Sequence, residues 1–446
     1  MNNFAPSNET NMERQSTFLF IIYLVCCHAA AQPWTARQCM QYAVEHNTQV
    51  RRAALELDNY EASKVGAIGN FLPSVSADMG VQYNFGRAID PETNGYTDVS
   101  TFYNGYSAQV SLPVFDGFSR LHALRAAKAS VLMGRHALRE QQDQTALTAL
   151  QAWVNAVYYE GMVAIAEEKQ RETSLLLRQT QVMVEVGRKS PADLAQIEAQ
   201  QAEAAYELTH QQNQFASALL ELKREMRYPL ADSLHLETPA GDDGLLPQTS
   251  LVSFDASSHP ALRQSFYTLE AKRHEWHQAR ASLFPFLSFS AGLSTTYFKT
   301  LHSQTAETFG NQLKNNMGEY LSATLSIPIF NRLQTMTSIR RAKNNYRMAQ
   351  EAYEEKRFEL EKLSREAWQD LNAYLKQTQQ MKKKVEADSL AYQLTCRQYE
   401  EGLSTAIDLH TTSAMLLQSK ATLLQCQLMA MVKQELVRYY NGEQIW

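Results

Sequence analysis

Ser111-Leu112-Pro113-Val114-Phe115 and Ser326-Ile327-Pro328-Ile329-Phe330 are one phrase written twice. The interval from Ser111 to Ser326 also separates Gly187 from Gly402 and Asp193 from Asp408, and Phe71-Leu72-Pro73 returns as Leu283-Phe284-Pro285 after almost the same spacing. Repetition at a nearly constant interval means that the chain consists of two equal halves, each carrying the same supersecondary unit.

From Pro113 to Gly187, and over the equal stretch from Pro328 to Gly402, there is no further proline, and only Gly117, Gly134 and Gly161 interrupt the first copy. An unbroken helix of that length would reach ~105 to 110 Å at 1.5 Å per residue, far beyond a globular domain. After the glycine a returning helix of roughly forty residues is predicted, stopping near Tyr228 or Tyr440. Each half also opens with a predicted helix of roughly thirty residues, near 38 to 69 and 260 to 283. The two shorter helices, stacked end to end, would line the whole of the long one. On the returning helices Ala414, Leu417, Ala421, Leu424, Leu428 and Met431 step by three and four, the seam of a coiled coil. Leu194, Ile197, Ala204, Leu208, Phe215 and Leu222 follow the same rhythm, with Gln201 and Gln211 filling two core places, and Ala195, Ala199 and Ala202 form a second stripe. Two stripes suit a helix with a neighbour on each side, in a cylinder wall or a bundle.

Composition agrees. Only 17 Gly and 12 Pro occur in 446 residues, while Ala, Gln, Glu, Leu and Arg are abundant in the manner of long helices. A net charge of -5 offers no basic face, so nucleic acid is excluded as a partner. Arg14, the apolar run from Phe18 to Cys27 and Ala29-Ala30-Ala31 read as a secretory signal peptide over 1-31, with Met12 as an alternative start. Leu24-Val25-Cys26-Cys27 is a poor lipoprotein site because Cys26 stands where a small residue is wanted. Beyond it Cys39, Cys396 and Cys426 are scattered and odd in number, so neither a disulfide framework nor a cysteine metal site follows. No later run reaches the about twenty apolar residues of a membrane helix, which leaves strands to cross a bilayer.

After Pro73 the pattern changes to period two. Val75, Ala77, Met79, Val81, Tyr83 and Phe85 alternate with small polar residues. The same alternation marks Ala108, Val110 and Leu112, then Leu287, Phe289, Ala291 and Leu293, then Leu321, Ala323, Leu325 and Ile327. Strands are expected over about 74-86, 104-115, 286-297 and 318-330, with 87-102 and 298-316 as exposed loops. A small sheet with one face on a core is one reading. The other is a transmembrane barrel, apolar to lipid and small polar to lumen, with Tyr83, Phe85, Tyr103, Tyr106 and Tyr297 at the interfacial girdle. Four strands cannot close in lipid, where every unpaired edge group costs several kcal/mol. Several chains must then share one barrel, and three give twelve strands.

Taken with Trp34-Thr35 through Cys39, Tyr42-Ala43, His46-Asn47 and the doubled glycine turn followed by aspartate, these motifs resemble the TolC family of outer-membrane efflux proteins over essentially the whole mature chain. The resemblance implies a mainly α fold with a membrane β-barrel. It has a two-fold internal repeat of helix-strand-strand-long helix-helix, in which a trimeric 12-stranded barrel continues into a long periplasmic α-helical barrel. It divides the chain into a first repeat at 32-228, with its helical hairpin at 117-228. An equatorial linker follows at 229-258, then a second repeat at 259-446 with its hairpin at 331-440. It implies a homotrimer in outer-membrane lipid, a periplasmic adaptor and an inner-membrane transporter, and no cofactor. The turns at Gly187 and Gly402 would be the helix tips. Asp193 and Tyr399 would provide polar links holding them shut, and Asp408 an acidic ring. Ser404 stands where a linking Arg can occur and Thr411 where a second ring Asp can occur.

The aspartates also have a plainer reading. Ser190-Pro191-Ala192-Asp193 and Thr405-Ala406-Ile407-Asp408 are both helix starts with a hydroxyl cap and an acid three residues on. His274 and His277 form an i, i+3 pair without the metalloprotease spacing or a third ligand, and His46 and His259 sit at equivalent helix starts in packing or capping positions. No phosphate loop, nucleophile elbow or Ser-His-Asp arrangement is present, so an enzyme is not expected. The function read from the chain is a passive duct exporting small molecules. A type I protein secretion duct and a trimeric coiled-coil adhesive surface protein are the alternatives.

Overall fold

The computed structural model describes residues 33-89, 94-98, 100-237, 256-300 and 307-446. The expected signal peptide and most of the expected linker lie outside them. In chain order the elements are α1 (Ala36–His46), α2 (Thr48–Gly69), β1 (Ser74–Asn84), β2 (Arg87–Ile89), β3 (Tyr96–Asp98), β4 (Thr101–Phe115), α3 (Ser119–Glu185) and α4 (Pro191–Met226). After a 3-10 turn at Ala256–Ser258 come α5 (Pro260–Ala281), β5 (Phe286–Thr300), α6 (Phe309–Asn315), β6 (Gly318–Ser326), α7 (Gln334–Glu400) and α8 (Ala406–Tyr440). Both long helices have 67 residues.

The chain divides into two units. One contains residues 53-139 and 260-359, and in it β1, β4, β5 and β6 form a four-stranded antiparallel sheet in that order. Register puts like beside like. Val75, Val110, Ala291 and Leu321 form one row across all four strands, and Ser74, Ser111, Ser290 and Ser322 form the next, on the opposite face. The sheet therefore has an apolar face and a face of small polar residues. Among the described residues nothing covers the apolar face at its outer strands: Val75 is 72% exposed and Leu321 84%.

Local chemistry ends the strands and starts the helices. Asp116 Oδ2 accepts from the Arg120 amide at 3.0 Å and from its Nε at 2.9 Å, and the guanidinium also donates to the Asn70 carbonyl at 3.1 Å. Asn331, the counterpart of Asp116 in the second copy, accepts from the Thr335 amide at 3.4 Å. The Asp and Asn that follow the repeated phrase are thus the acceptors that open α3 and α7. Pro113 is tolerated because the register shifts beside it, the bulge position where a missing N–H costs least.

Three expectations are corrected. The first opening helix is broken at Asn47, whose backbone is extended; its Oδ1 accepts from the Gln49 amide at 2.7 Å and its Nδ2 donates to the Glu225 carbonyl at 3.3 Å. The last strand stops at Ser326 instead of 330, because its partner β5 begins at Phe286, opposite Ser326, and beyond it Pro328 has no N–H to offer. The expected loops carry structure: β4 and β5 extend to the Thr101–Thr300 pair, β2 and β3 form a hairpin, and α6 docks through Gln312, whose amide exchanges hydrogen bonds with the Phe298 backbone at 2.8 and 2.9 Å.

The second unit contains, among the described residues, 33-52, 140-237, 256-259 and 360-446. Its main core packs α1, α3, α4 and α8 around Trp153, Leu150, Leu222 and Met226, closed by Ile445 from the tail. Trp153 Nε1 donates to the Trp34 carbonyl at 3.2 Å and Trp446 Nε1 to Asp143 at 2.9 Å, so these two indoles are satisfied. On α4 the expected core positions Ile197, Ala204, Gln211 and Leu222 are buried. On α8 the expected seam holds in its second half, where Leu428 is buried and Leu424 and Met431 pack on the same core, but in the first half the buried stripe is instead Leu409, Ser413, Leu416 and Ser419. Ala414, Leu417 and Ala421 line a cavity of about 430 Å³ together with Met162, Ile165 and Ala204. The serines take core places because Ser419 Oγ donates to the Leu416 carbonyl at 2.9 Å and Ser413 Oγ receives the Lys169 ammonium.

Gly117 and Gly187 both have positive φ, but a Cβ at Gly117 would stand 2.6 Å from the Ala281 carbonyl oxygen, whereas Gly187 has open space. Gly117→Ala is expected to cost about 1–3 kcal/mol more than Gly187→Ala, which bears only the left-handed backbone penalty. Denaturant midpoints of the two variants measure this, and equal shifts would refute the close approach.

Candidate gate at the two helix turns

The two turns that join α3 to α4 and α7 to α8 are built alike. Gly187 and Gly402 both have φ of 76°. The Arg188 amide donates to the Met183 carbonyl and the Leu403 amide to the Gln398 carbonyl, each at 2.8 Å, while Gly187 and Gly402 donate to Val184 and Tyr399 at 3.0 and 3.1 Å. This paired bonding is the left-handed helix stop that glycine alone enters without strain.

The returning helices start on reciprocal caps. Ser190 Oγ accepts from the Asp193 amide at 3.2 Å, and Asp193 Oδ2 accepts from the Ser190 amide at 3.1 Å and its hydroxyl at 2.8 Å. Thr405 and Asp408 repeat this at 3.2, 3.0 and 2.7 Å, and Ser404 Oγ adds a bond to Asp408 at 3.3 Å. These bonds hold both carboxyls below the usual aspartate range, the serine and threonine hydroxyls contributing most and the cap amides next. Thr411 turns back on its own helix, its hydroxyl donating to the Ile407 carbonyl at 2.9 Å.

Tyr399 is the largest of the fully buried side chains, 1% exposed, in a cluster with Ile197, Ala406 and Leu409. Its hydroxyl lies 3.4 Å from Thr180 Oγ1, and the Lys189 ammonium lies 3.8 Å from the centre of its ring. Burial pushes the phenol up. The structure therefore joins Tyr399 to Thr180 and Lys189, while Asp193 is hydrogen-bonded to the Ser190 cap and its charge also acts on Tyr399 and Lys189. Thr180 and Lys189 escaped sequence reasoning; comparison of the two halves would have flagged Lys189, which stands where the second half has Ser404.

Behind the turns lies a second polar group. Tyr392 donates to Glu172 at 3.1 Å, and Lys169, lowered by burial, reaches Ser413. Elsewhere His274 and His277 meet His122, with ring centres 5.7 and 5.1 Å from it. All three are lowered first by desolvation, His274 to about 4, and among the described residues no cluster of three His, Cys, Asp or Glu could hold a metal ion. His46 stacks on Tyr42, and His259 packs edge-on to Tyr439.

A family profile described as "Outer membrane efflux protein" matches residues 39–226 and 254–438, one block in each half. The chain belongs to the outer membrane efflux protein family. The outer membrane efflux protein BepC of Brucella suis biovar 1 (strain 1330) is 22% identical over 347 residues, covering 77% of this chain and 72% of that protein. Among solved structures, CusC superposes with a TM-score of 0.80 at 15% identity, covering 92% of each chain. The outer membrane protein VceC from Vibrio cholerae does so with a TM-score of 0.78 at 12% identity, covering 92% of this chain and 97% of that one. The family and fold are those of efflux channels and not of enzymes. The chain is an outer-membrane protein whose helical part lies in the periplasm.

Because both cap carboxyls titrate below their unfolded value, their contribution is complete above the ordinary aspartate pKa and is lost as pH falls through the depressed one. Hydrogen exchange at the Ser190 and Thr405 amides, corrected for intrinsic rates, should stay protected at about pH 5 and open on acidification below the aspartate range. Protection that is unchanged at about pH 2 would contradict the caps.

Proposed function

We propose that three copies of this chain form a passive outer-membrane duct. The sheet supports this reading most directly: it presents an uncovered apolar face, a face of serines and other small residues, and two open edges at β1 and β6. Placed in lipid, the apolar rows meet hydrocarbon and the serine rows line a wet lumen. Three sheets of four strands close one twelve-stranded wall and remove every edge. The helices continue the conduit into the periplasm. There the turns at Gly187 and Gly402 form the entrance, with Asp193 and Tyr399 among the residues that hold it and Asp408 presented three times around the axis.

The duct supplies no energy of its own, in keeping with the efflux-channel family and fold of the chain. An inner-membrane transporter drives export, and a periplasmic adaptor joins it to the helical entrance. The cargo is small molecules, in keeping with the efflux family to which the chain belongs.

Purified full-length protein in planar bilayers should produce discrete single-channel currents, and Asp408→Asn should lower cation preference or alter conductance. Absence of discrete currents would remove the duct. Currents indifferent to Asp408→Asn would remove the acidic ring alone.

A further inference from the structure

We propose that Trp276, Arg280 and Lys343 form a binding site for the phosphate headgroup of an anionic phospholipid in the periplasmic leaflet of the outer membrane. The inference rests on the duct reading, since it needs the sheet to lie in lipid.

Within the unit that holds the sheet, the helices continue the strand order. On α3, a Cβ at Gly134 would meet Tyr60 and Leu57 of α2, and His136 stacks on Tyr267 of α5. In turn α5 meets α7, where Phe266 packs edge-on to Tyr353 and Trp276 stacks on Tyr346 with ring centres 5.8 Å apart. The order α2, α3, α5, α7 therefore repeats β1, β4, β5, β6, and each helix extends the strand it joins.

Charge is segregated in this wall. The stretches 119-139 and 331-350, where the two long helices leave the sheet, contain Arg and Lys but no Asp or Glu, and acids return only at Glu140 and Glu351. On α5 the two acids nearest the sheet are committed, Glu270 to Arg273 at 2.6 Å and Glu275 to Lys272 at 2.8 Å. Arg280 and Lys343 are exposed and have no carboxylate partner among the described residues. Both gather on one ring: the Arg280 guanidinium lies 5.6 Å and the Lys343 ammonium 5.8 Å from the Trp276 ring centre, inside cation–π range. Two like charges brought together without a counter-ion repel, and an anion between them turns that repulsion into attraction. Phosphate suits the pair, since a guanidinium grips it by two donors and an ammonium adds a point charge.

Position selects lipid as the source of the phosphate. In chain order, Phe284, Ile329, Phe330 and Leu333 lie between the cations and the last sheet pair, Phe286 with Ser326, and they are 54%, 94%, 76% and 62% exposed. From the sheet downward come apolar rows, an uncovered apolar rim, an indole and then cations. Arg280 stands on the order of 10 Å from the first β5 pair at helical rise. That is the succession of hydrocarbon, interface and headgroup through one leaflet, and long basic side chains reach the headgroup plane along an apolar stem. The acyl chains of the bound lipid cover the rim while its phosphate meets Arg280 and Lys343.

Native mass spectrometry of the full-length protein, released from mixed micelles holding equal amounts of phosphatidylglycerol and phosphatidylcholine, tests the site. The wild type should retain phosphatidylglycerol preferentially. Arg280→Gln with Lys343→Gln should reduce that preference roughly twentyfold to thirtyfold, about fivefold for each cation lost. Arg280→Lys with Lys343→Arg should keep it, as should Lys314→Gln on α6, at the other end of the sheet. Equal preference in the wild type and the Gln double variant, or none in either, overturns the site. Displacement of the retained lipid by an equal concentration of inorganic phosphate overturns the assignment to lipid. In planar bilayers, a changed anion preference in the Gln double variant places the two cations in the lumen and also overturns it. Each of these results leaves the duct standing, which fails only if the wild type gives no discrete currents.

Discussion

The outer edges of β1 and β6 carry backbone N–H and C=O groups that no residue of the same sheet satisfies, and in hydrocarbon each such group costs several kcal/mol. That constraint organises the rest. A sheet in water would bury its apolar rows on a core, but Val75 and Leu321, at the two ends of one four-strand row, face open space in the single chain. The chain solves neither problem alone. In the proposed duct, lipid covers the apolar face and further copies supply the missing ladder, which would make folding of the membrane part and assembly one event.

The periplasmic turns follow a different logic, in which the helix stops and starts are bonded within the protomer. Glycine closes the α3 and α7 carbonyls, reciprocal caps close the α4 and α8 amides, and the acids that such tips expose are consumed by those caps. Tips of this kind are rigid units. Between them the buried Tyr399 crosses from the second hairpin to Thr180 and Lys189 of the first.

What the sequence made legible was what repeats or alternates. The Pro113 and Pro328 phrases, the glycine turns and the period-two runs each encode local structure, and the mixed helical and sheet architecture follows from them. What it hid depends on distant partners. Asn47 breaks a helix because it reaches Glu225, 178 positions away. Ser413 and Ser419 occupy core places because Lys169 and a backbone carbonyl satisfy them, whereas the apolar Ala414, Leu417 and Ala421 line a cavity. A three-four rhythm admits more than one stripe, and only the neighbouring helices decide which one is buried. At the turns the caps were readable from Ser190-Pro191-Ala192-Asp193 alone, but the partners of Tyr399 were not, since Thr180 and Lys189 reach it only through tertiary packing.

The central claim, that the open edges of β1 and β6 pair with those of other copies, is tested most directly by cysteine cross-linking in native outer membranes. Single cysteines placed along Ser74–Asn84 are combined pairwise with others along Gly318–Ser326, and the membranes are oxidised. One register should yield covalent dimers and trimers, with nothing larger. Cross-links confined to single chains, or none in any register, would contradict it.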